Sequence, residues 1–239
     1  MTAFDDPTTR SFARVAGVLY LVIAVAGFFS ILYVPGQLTV PGDPASTLAA
    51  IAARPGLFAL GVGGDVVMMT AEVVLAVMLF AMFRPFGAVL ATAALVARLM
   101  MAAVMAAMLL PQAAILALAT DPSLAGEGQA AWLAATLARM DAAGVWVWQV
   151  FFALHLWMLG ALALRSRAVP RLLAIGLVVG GAGYLVDSVR AFAFDGSMAL
   201  SVIGGALLAV VTLSEIGFAL WLLTRGRVAA SEAPMAGRA

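Results

Sequence analysis

Four ionisable side chains stand inside sequence that otherwise favours lipid: Glu72, Arg98, His155 and Glu215. A charge at the centre of a membrane helix costs about 2.5–3.5 kcal/mol, so such residues usually face the bundle interior and pair. His155 and Glu215 would suit acid–base or proton-relay chemistry, because buried imidazole and carboxyl groups can exchange protons near neutral pH. The alternative is a set of satisfied ion pairs that fix the register of the helices. The catalytic assignment stays unknown.

Depth along the predicted helices indicates which of these groups meet. A rise of 1.5 Å per residue puts Glu72 and Arg98 at about 16 and 18 Å from the cytoplasmic helix ends, on adjacent antiparallel spans. An ion pair between them is therefore the best-matched contact. His155 and Glu215 each lie about 13 Å deep, which makes them the second predicted pair.

Further polar residues lie nearer the outer face. Asp65 is seven residues before Glu72, so the two share one helix face. Tyr184, Asp187 and Arg190 follow one another at intervals of three, and Arg190 can neutralise Asp187. The predicted buried polar cluster is therefore Asp65, Glu72, Arg98, His155, Tyr184, Asp187 and Glu215.

The composition indicates a membrane protein. Of 239 residues, 65% are apolar and 10% charged, against about 45–50% and about 25% in soluble domains. A net charge of +1 argues against nucleic-acid binding. There is no cysteine, one histidine and no lysine, which excludes thiolate and multi-histidine metal sites and lysine chemistry. No metal and no cofactor is expected.

The elements that position these side chains are predicted to be membrane helices. A span needs about 20 mostly apolar residues. We expect an all-α, six-span helical bundle over residues 12–227, preceded by a tail of residues 1–11 and followed by a disordered tail of residues 228–239. The six predicted spans are residues 15–34, 57–83, 87–110, 143–164, 172–193 and 200–223.

The arginines orient this bundle. Most of them lie next to span ends on the same side of the membrane as the two termini, and few lie in the loops on the other side. The positive-inside rule then puts the N and C termini in the cytoplasm, with the protein in the bacterial cytoplasmic membrane.

Two of the outer loops are long enough to hold short helices. Residues 35–56 contain four prolines and then a helical stretch at 45–53. Residues 121–142 contain apolar residues at helical spacing, which predicts either a helix on the outer surface or an extension of the fourth span. Pro111 is expected to kink or end the third span.

Small residues predict close packing of the last two spans. Small side chains spaced by about four residues let helix backbones approach each other in lipid. The glycines concerned are Gly176, Gly180, Gly181 and Gly183 in span five, with Gly204 and Gly205 in span six.

A set of short motifs spread over residues 12–227 resembles a known family, the bacterial integral membrane proteins of domain-of-unknown-function family 4386. The motifs are VPGDPAST at 40–47, GD at 64–65, ARL at 97–99, FFALHL at 151–156, LRS at 164–166, PRLL at 170–173, GYLVDS at 183–188, SEI at 214–216 and ALWLL at 219–223. The resemblance implies a six-span membrane protein and no assigned activity. The residues that match positions in the family's motifs are Asp65, Arg98, His155, Asp187 and Glu215. Glu72 does not match such a position, so Arg98 could instead reach Asp65, Asp187 or Glu215.

These observations favour a non-enzymatic membrane protein with a buried polar cluster, serving as a small transporter or sensor component. One alternative is a membrane-embedded enzyme acting on a lipid or quinone-like substrate, with His155 and Glu215 as acid and base. A second alternative is a structural scaffold. Membrane lipids are the expected partners, a small-molecule or lipid ligand is left open, and the oligomeric state is unknown.

Overall fold

The computed structural model describes residues 6–228, and the regular structure in that range is helical. Helix α1 is followed without a break by a π-helical segment, Phe28–Tyr33, and by α2. The helices are α1 Arg10–Gly27, α2 Val34–Leu38, α3 Pro44–Ala53, α4 Pro55–Phe83, α5 Ala88–Thr120, α6 Glu127–Ser166, α7 Arg171–Ala193 and α8 Met198–Thr224.

Six helical stretches are long and apolar enough to cross a membrane. They are the continuous stretch Arg10–Leu38, and the stretches containing α4, α5, α6, α7 and α8. The predicted number of long apolar helices, six, is therefore confirmed. Most of them are longer than predicted, because polar or small residues at their ends continue the helical hydrogen bonding beyond the apolar run.

Two predicted boundaries are wrong. The third span does not end near Pro111, because α5 continues through the proline to Thr120; one proline removes a single backbone hydrogen bond, and good helix formers follow it. No separate surface α-helix lies in residues 121–142, because after a single 3₁₀ turn at Pro122–Leu124 the helix α6 begins at Glu127 and runs unbroken into the fourth span. The stretch is an extension of that span. The predicted short helix in residues 35–56 is present as α3.

Neighbouring helices close into a ring. Contacts link α1 to α4, α4 to α5, α5 to α6, α6 to α7, α7 to α8 and α8 back to α1. The short helix α3 packs across α5 and α6 at one end of this ring. We call that end the α3 end, and the opposite end, where α1 begins and α8 finishes, the termini end.

Helices α7 and α8 touch backbone to backbone. A Cβ on Gly180 would lie 2.5 Å from the Val211 amide nitrogen, and one on Gly183 would lie 2.8 Å from the Leu208 nitrogen. The predicted close packing is thus confirmed at these two glycines. Gly205 differs, since nothing lies within 4 Å of a Cβ there.

The ends of the chain are only partly described. Helix α1 begins at Arg10, where Thr9 caps it by accepting from the Phe12 amide, so the predicted tail of residues 1–11 reaches slightly into the helix. The predicted disordered tail, residues 228–239, lies outside the described residues from 229 onward.

Candidate functional site

Arg98 is the centre of the buried polar residues and is fully buried. Its Nε donates to Glu72 Oε2 at 2.5 Å. Its Nη1 lies 2.8 Å from His155 Nε2 and donates to the Tyr20 hydroxyl at 3.3 Å. One side chain on α5 thereby joins α1, α4 and α6 in the middle of the bundle.

Hydrogen bonding fixes the tautomer of His155. Its Nδ1 lies 2.9 Å from the carbonyl oxygen of Ala94, which can only accept. Nδ1 therefore carries the hydrogen, and Nε2 accepts from Arg98. The imidazole is neutral and both ring nitrogens are occupied. The predicted His155–Glu215 pair is therefore wrong, because Arg98 and Ala94 take both positions.

Aromatic rings surround the guanidinium of Arg98. Its Cζ lies 5.2 Å from the Tyr20 ring centre and 5.6 Å from the Phe152 ring centre, both in cation–π range. Phe152 in turn stacks on His155, with ring planes 4° apart. One nitrogen, Arg98 Nη2, has no hydrogen-bond partner among the described residues.

Glu215 reaches the same region from α8. Its carboxyl group neighbours the Tyr184 hydroxyl and lies within electrostatic range of Arg98 and Glu72. As a whole residue Glu215 is half-buried, whereas Arg98 and His155 are buried. Glu215 and Tyr184 thus adjoin the cluster around Arg98 at its α8 side.

Asp187 belongs to a separate group near the α3 end. The predicted pair with Arg190 is present, with Arg190 Nη2 at 3.0 Å from Asp187 Oδ1. Gln149 Nε2 donates to Asp187 Oδ2 at 3.2 Å, and Gln149 Oε1 lies 3.1 Å from the Ser188 hydroxyl oxygen. These bonds join α6 to α7 and involve none of the atoms of Arg98.

A cavity of about 550 Å³ lies at the α3 end, between the α1–α2 stretch, α3, α4, α5 and α6. Three of its lining residues stand above the cluster: Met68 is one turn before Glu72, Met105 two turns after Arg98, and Trp148 two turns before His155. Residues at these spacings share a helix face. The Arg98 cluster therefore underlies the cavity floor.

Asp65 lines this cavity and does not contact Arg98. Gln112 Nε2 donates to Asp65 Oδ2 at 3.0 Å and to Asp141 Oδ1 at 3.2 Å. Both carboxylates can only accept when ionised, so the orientation of the Gln112 amide is settled. Its Oε1 has no partner among residues 6–228. The predicted single cluster is thus divided, with Asp65 in the cavity and Glu72 below it.

Ser30 borders the same cavity from the π-helical segment. Its side chain is only 7% exposed, and its hydroxyl has no hydrogen-bond partner in the part of the chain described. Helical hydroxyls elsewhere return to the carbonyl four residues earlier, as Thr70 and Ser214 do at 2.8 and 2.7 Å. The π-helical geometry leaves the Ser30 hydroxyl free, and such segments are frequent at functional sites.

Helix α3 and the loop before it cover the cavity. The Asp43 carboxylate caps α3 by accepting from the Ser46 amide at 2.9 Å and its hydroxyl at 2.6 Å. These hydrogen bonds lower the pKa of Asp43 below its ordinary value. The Val40 amide donates to Thr47 Oγ1 at 2.9 Å, and the Arg54 guanidinium donates to the Gln37 carbonyl. The cover is thus tied to the end of α2.

The space beside His155 is very small. A void of about 10 Å³ adjoins it, room for about one water molecule. A second space of about 640 Å³ is an open apolar groove on the outer face of α5 and α6. Neither of these two spaces gives a lipid-sized molecule access to the imidazole.

Sequence reasoning missed several of the polar residues that the structure brings into play. Four of them are neutral residues inside apolar runs: Tyr20, Ser30, Gln112 and Gln149. The fifth, Asp141, is a carboxylate that the sequence assigned to a loop. Uncharged hydrogen-bonding groups at membrane depth would have been the signal for the first four, since such groups need partners in lipid.

The fold and site define a multi-pass membrane protein with a ring of six long apolar helices, a buried ionic core and a cavity at one end. Residues 15–226 match the family described as Domain of unknown function (DUF4386), and the chain belongs to that family. The chain matches none of the curated proteins and none of the solved structures with which it was compared.

Proposed function

We propose that this protein binds a small amphiphilic molecule in the cavity at the α3 end and works as a small transporter or sensor component. The observation that carries the proposal is the cavity itself. Its volume of about 550 Å³ lies within the usual range of ligand pockets, about 300–1,000 Å³. Its lining is mostly apolar, and Asp65, Gln112, Asp141 and Ser30 are among its polar groups. This combination is typical of small-molecule sites.

The arginines support an orientation for the site. Those at the termini end are Arg10, Arg14, Arg84, Arg165, Arg167, Arg171, Arg225 and Arg227, whereas the α3 end holds Arg54, Arg139 and Arg190. The positive-inside rule favours a cytoplasmic termini end. The cavity then lies in the outer half of the bacterial cytoplasmic membrane, where ligand and membrane lipids can both reach it.

The Arg98 cluster has a positioning role in this proposal. Its hydrogen bonds hold α1, α4, α5 and α6 together directly under the cavity floor. Helices α4, α5 and α6 also carry Asp65, Gln112 and Asp141. A fixed register of these helices keeps the three polar side chains opposite each other.

The scaffold alternative has a specific observation behind it, because Arg98, Glu72 and His155 are paired with one another. The cavity distinguishes the two functions. Side chains that filled this apolar space, with its unpartnered buried hydroxyl, would add packing contacts and stabilise a scaffold, whereas a ligand-binding protein needs the space to be open.

Photolabelling with three ten-carbon probes tests the proposal. The probes carry the same alkyl diazirine and end in an alcohol, an amine or a carboxylate. Full-length protein in lipid nanodiscs is labelled at rising probe concentration, and the labelled peptides are located by mass spectrometry. Saturable labelling of cavity-lining peptides by any one probe, displaced by unlabelled compound, is the expected result.

A matched pair of variants makes the test specific. Ala135 lines the cavity and Ala142 lies exposed on the same helix outside it. Ala135→Phe is expected to abolish the saturable labelling by filling the space, and Ala142→Phe is expected to leave it unchanged. Labelling that never saturates, or that Ala135→Phe leaves intact, would overturn the proposal.

A further inference from the structure

The polar part of the cavity offers hydrogen-bond acceptors in excess. The Gln112 amide nitrogen already directs its hydrogens to Asp65 and Asp141. Its Oε1 is buried without a partner in the described chain. What these three residues present to a ligand is therefore carboxylate and amide oxygen.

Ser30 gives an independent sign of a missing ligand group. Its side chain is more than nine-tenths buried, it lines the cavity, and its hydroxyl is unpartnered within residues 6–228. A buried hydroxyl without a partner has lost the hydrogen bonds that water would give it, which is unfavourable. A ligand donor placed in the cavity would remove that penalty.

Charge in the cavity lining is predominantly negative. Three carboxylates line it, those of Asp43, Asp65 and Asp141, against one guanidinium, that of Arg139. Arg139 is exposed and forms no ion pair within the described chain. A cation therefore suits this cavity better than an anion or a neutral molecule.

The remaining lining fits an apolar body. Met68, Met105 and Met108 contribute flexible thioether side chains that adapt to irregular ligands. Phe58 and Trp148 contribute aromatic rings, which attract cations as well as apolar groups.

We infer that the cavity takes an amphiphilic ammonium ion: a protonated amine carried on an apolar body. The ammonium group would lie among Asp65, Gln112 Oε1, Asp141 and Ser30, and its several N–H donors match their acceptors. The apolar body would lie against the methionines and Trp148. This inference rests on the proposed function and names its ligand class.

A bare divalent cation fits less well. Ca²⁺ takes about six to eight oxygen ligands. No group of three or more His, Cys, Asp or Glu suited to a metal is found among the described residues. An ion would also leave the apolar bulk of the cavity unfilled.

The same three probes test the ligand class. With the wild-type protein at pH 7, the amine is expected to label the cavity at about tenfold lower concentration than the alcohol, the effect of one charge-assisted hydrogen bond. The carboxylate is expected to label most weakly. Asp65→Asn and Asp141→Asn are each expected to remove most of the preference for the amine, and the double variant to remove all of it.

Controls separate charge in the cavity from charge on the surface. Asp195 is an exposed carboxylate at the same end of the bundle and outside the cavity. Asp195→Asn is expected to keep the full preference for the amine. The thermal unfolding of each asparagine variant is compared with that of the wild type, and a variant that fails to fold is replaced by the serine variant at that position.

The outcomes distinguish the inference from the proposed function. Saturable cavity labelling in which amine and alcohol are equal overturns the ammonium inference and leaves the proposed function standing. A preference for the amine that survives in the double variant also overturns it. Absence of saturable labelling by all three probes overturns both.

Discussion

Arg98 Nε lies 2.5 Å from Glu72 Oε2, and both side chains are at most 5% exposed. The pair joins α4 to α5 at mid-depth, where neither charge can reach water. Each residue therefore depends on the other: the carboxylate has no other salt-bridge partner in the described chain, and the guanidinium has Tyr20 and His155 only as neutral partners.

Substituting one partner of this pair should lower the free energy of unfolding far more than substituting both. Arg98→Met leaves a buried carboxylate unpaired, and we expect the free energy of unfolding to fall by about 3–5 kcal/mol. Arg98→Met with Glu72→Met should recover much of that loss, because both charges are gone. Chemical unfolding of the detergent-solubilised protein measures both. Arg171→Met, at an exposed position, is the control, and a double variant less stable than the single one would contradict the prediction.

Close approach of α7 and α8 gives a second prediction. Gly180→Ala puts a Cβ 2.5 Å from the Val211 nitrogen, where only backbone can give way. We expect the variant to lose about 1–3 kcal/mol of unfolding free energy. Gly205→Ala makes the same chemical change where nothing lies within 4 Å, and it should cause no loss. Equal melting temperatures for the two variants would show that the helices are not packed this closely.

Two of the buried serines, Ser188 and Ser30, should respond in opposite ways to removal of the hydroxyl. The Ser188 hydroxyl has one hydrogen to donate and lies within hydrogen-bonding distance of the carbonyl oxygens of Trp146 and Tyr184, at 2.9 and 2.8 Å. Ser188→Ala is therefore expected to destabilise by about 1 kcal/mol. Ser30 has no partner to lose among the described residues, so Ser30→Ala should be neutral or slightly stabilising. Thermal unfolding without added ligand compares them, and a larger loss for Ser30→Ala would sink the idea of a free hydroxyl.

The cap of α3 should make the cavity cover sensitive to acid. The pKa of Asp43 is lowered in the folded protein, so its capping contribution is complete above the ordinary carboxyl pKa and is lost as pH falls through the folded pKa. Hydrogen exchange at residues 46–48 should be about threefold faster or more in Asp43→Ala than in wild type at pH 6. That ratio should decrease as pH falls through the folded pKa of Asp43, because protonation weakens the cap. Asp43→Asn, which keeps an acceptor, should stay close to wild type at pH 6.

Counting depth along the predicted helices identified the Glu72–Arg98 contact, because the count uses only the rise per residue and the antiparallel direction of adjacent spans. Both follow from the lengths of the apolar segments. It paired His155 with Glu215 wrongly for the same reason. Depth carries no information about rotation around the helix axis. In the structure His155 faces α5, where Arg98 Nη1 and the Ala94 carbonyl are available.

The cavity could not be predicted from the sequence. It depends on Gln112 and Asp141 meeting Asp65 across three helices, and two of these residues lie beyond the predicted ends of their spans. The α5 and α6 helices extend further than hydropathy indicates, and both pack against α3. The six spans themselves were predictable, because lipid requires each to be an apolar helix.

The π-helical segment at Phe28–Tyr33 makes the free hydroxyl of Ser30 depend on one residue of chain length. A π-turn holds a residue more than an α-turn, so deleting one residue between Gly27 and Val34 would restore regular winding. The Ser30 hydroxyl would then return to its own helix, while the side chains beyond the segment would keep about their present facing, because the deletion removes only the extra residue of the wide turn. A single-residue gap at this place in an alignment would therefore mark family members that lack the wide turn and its free hydroxyl.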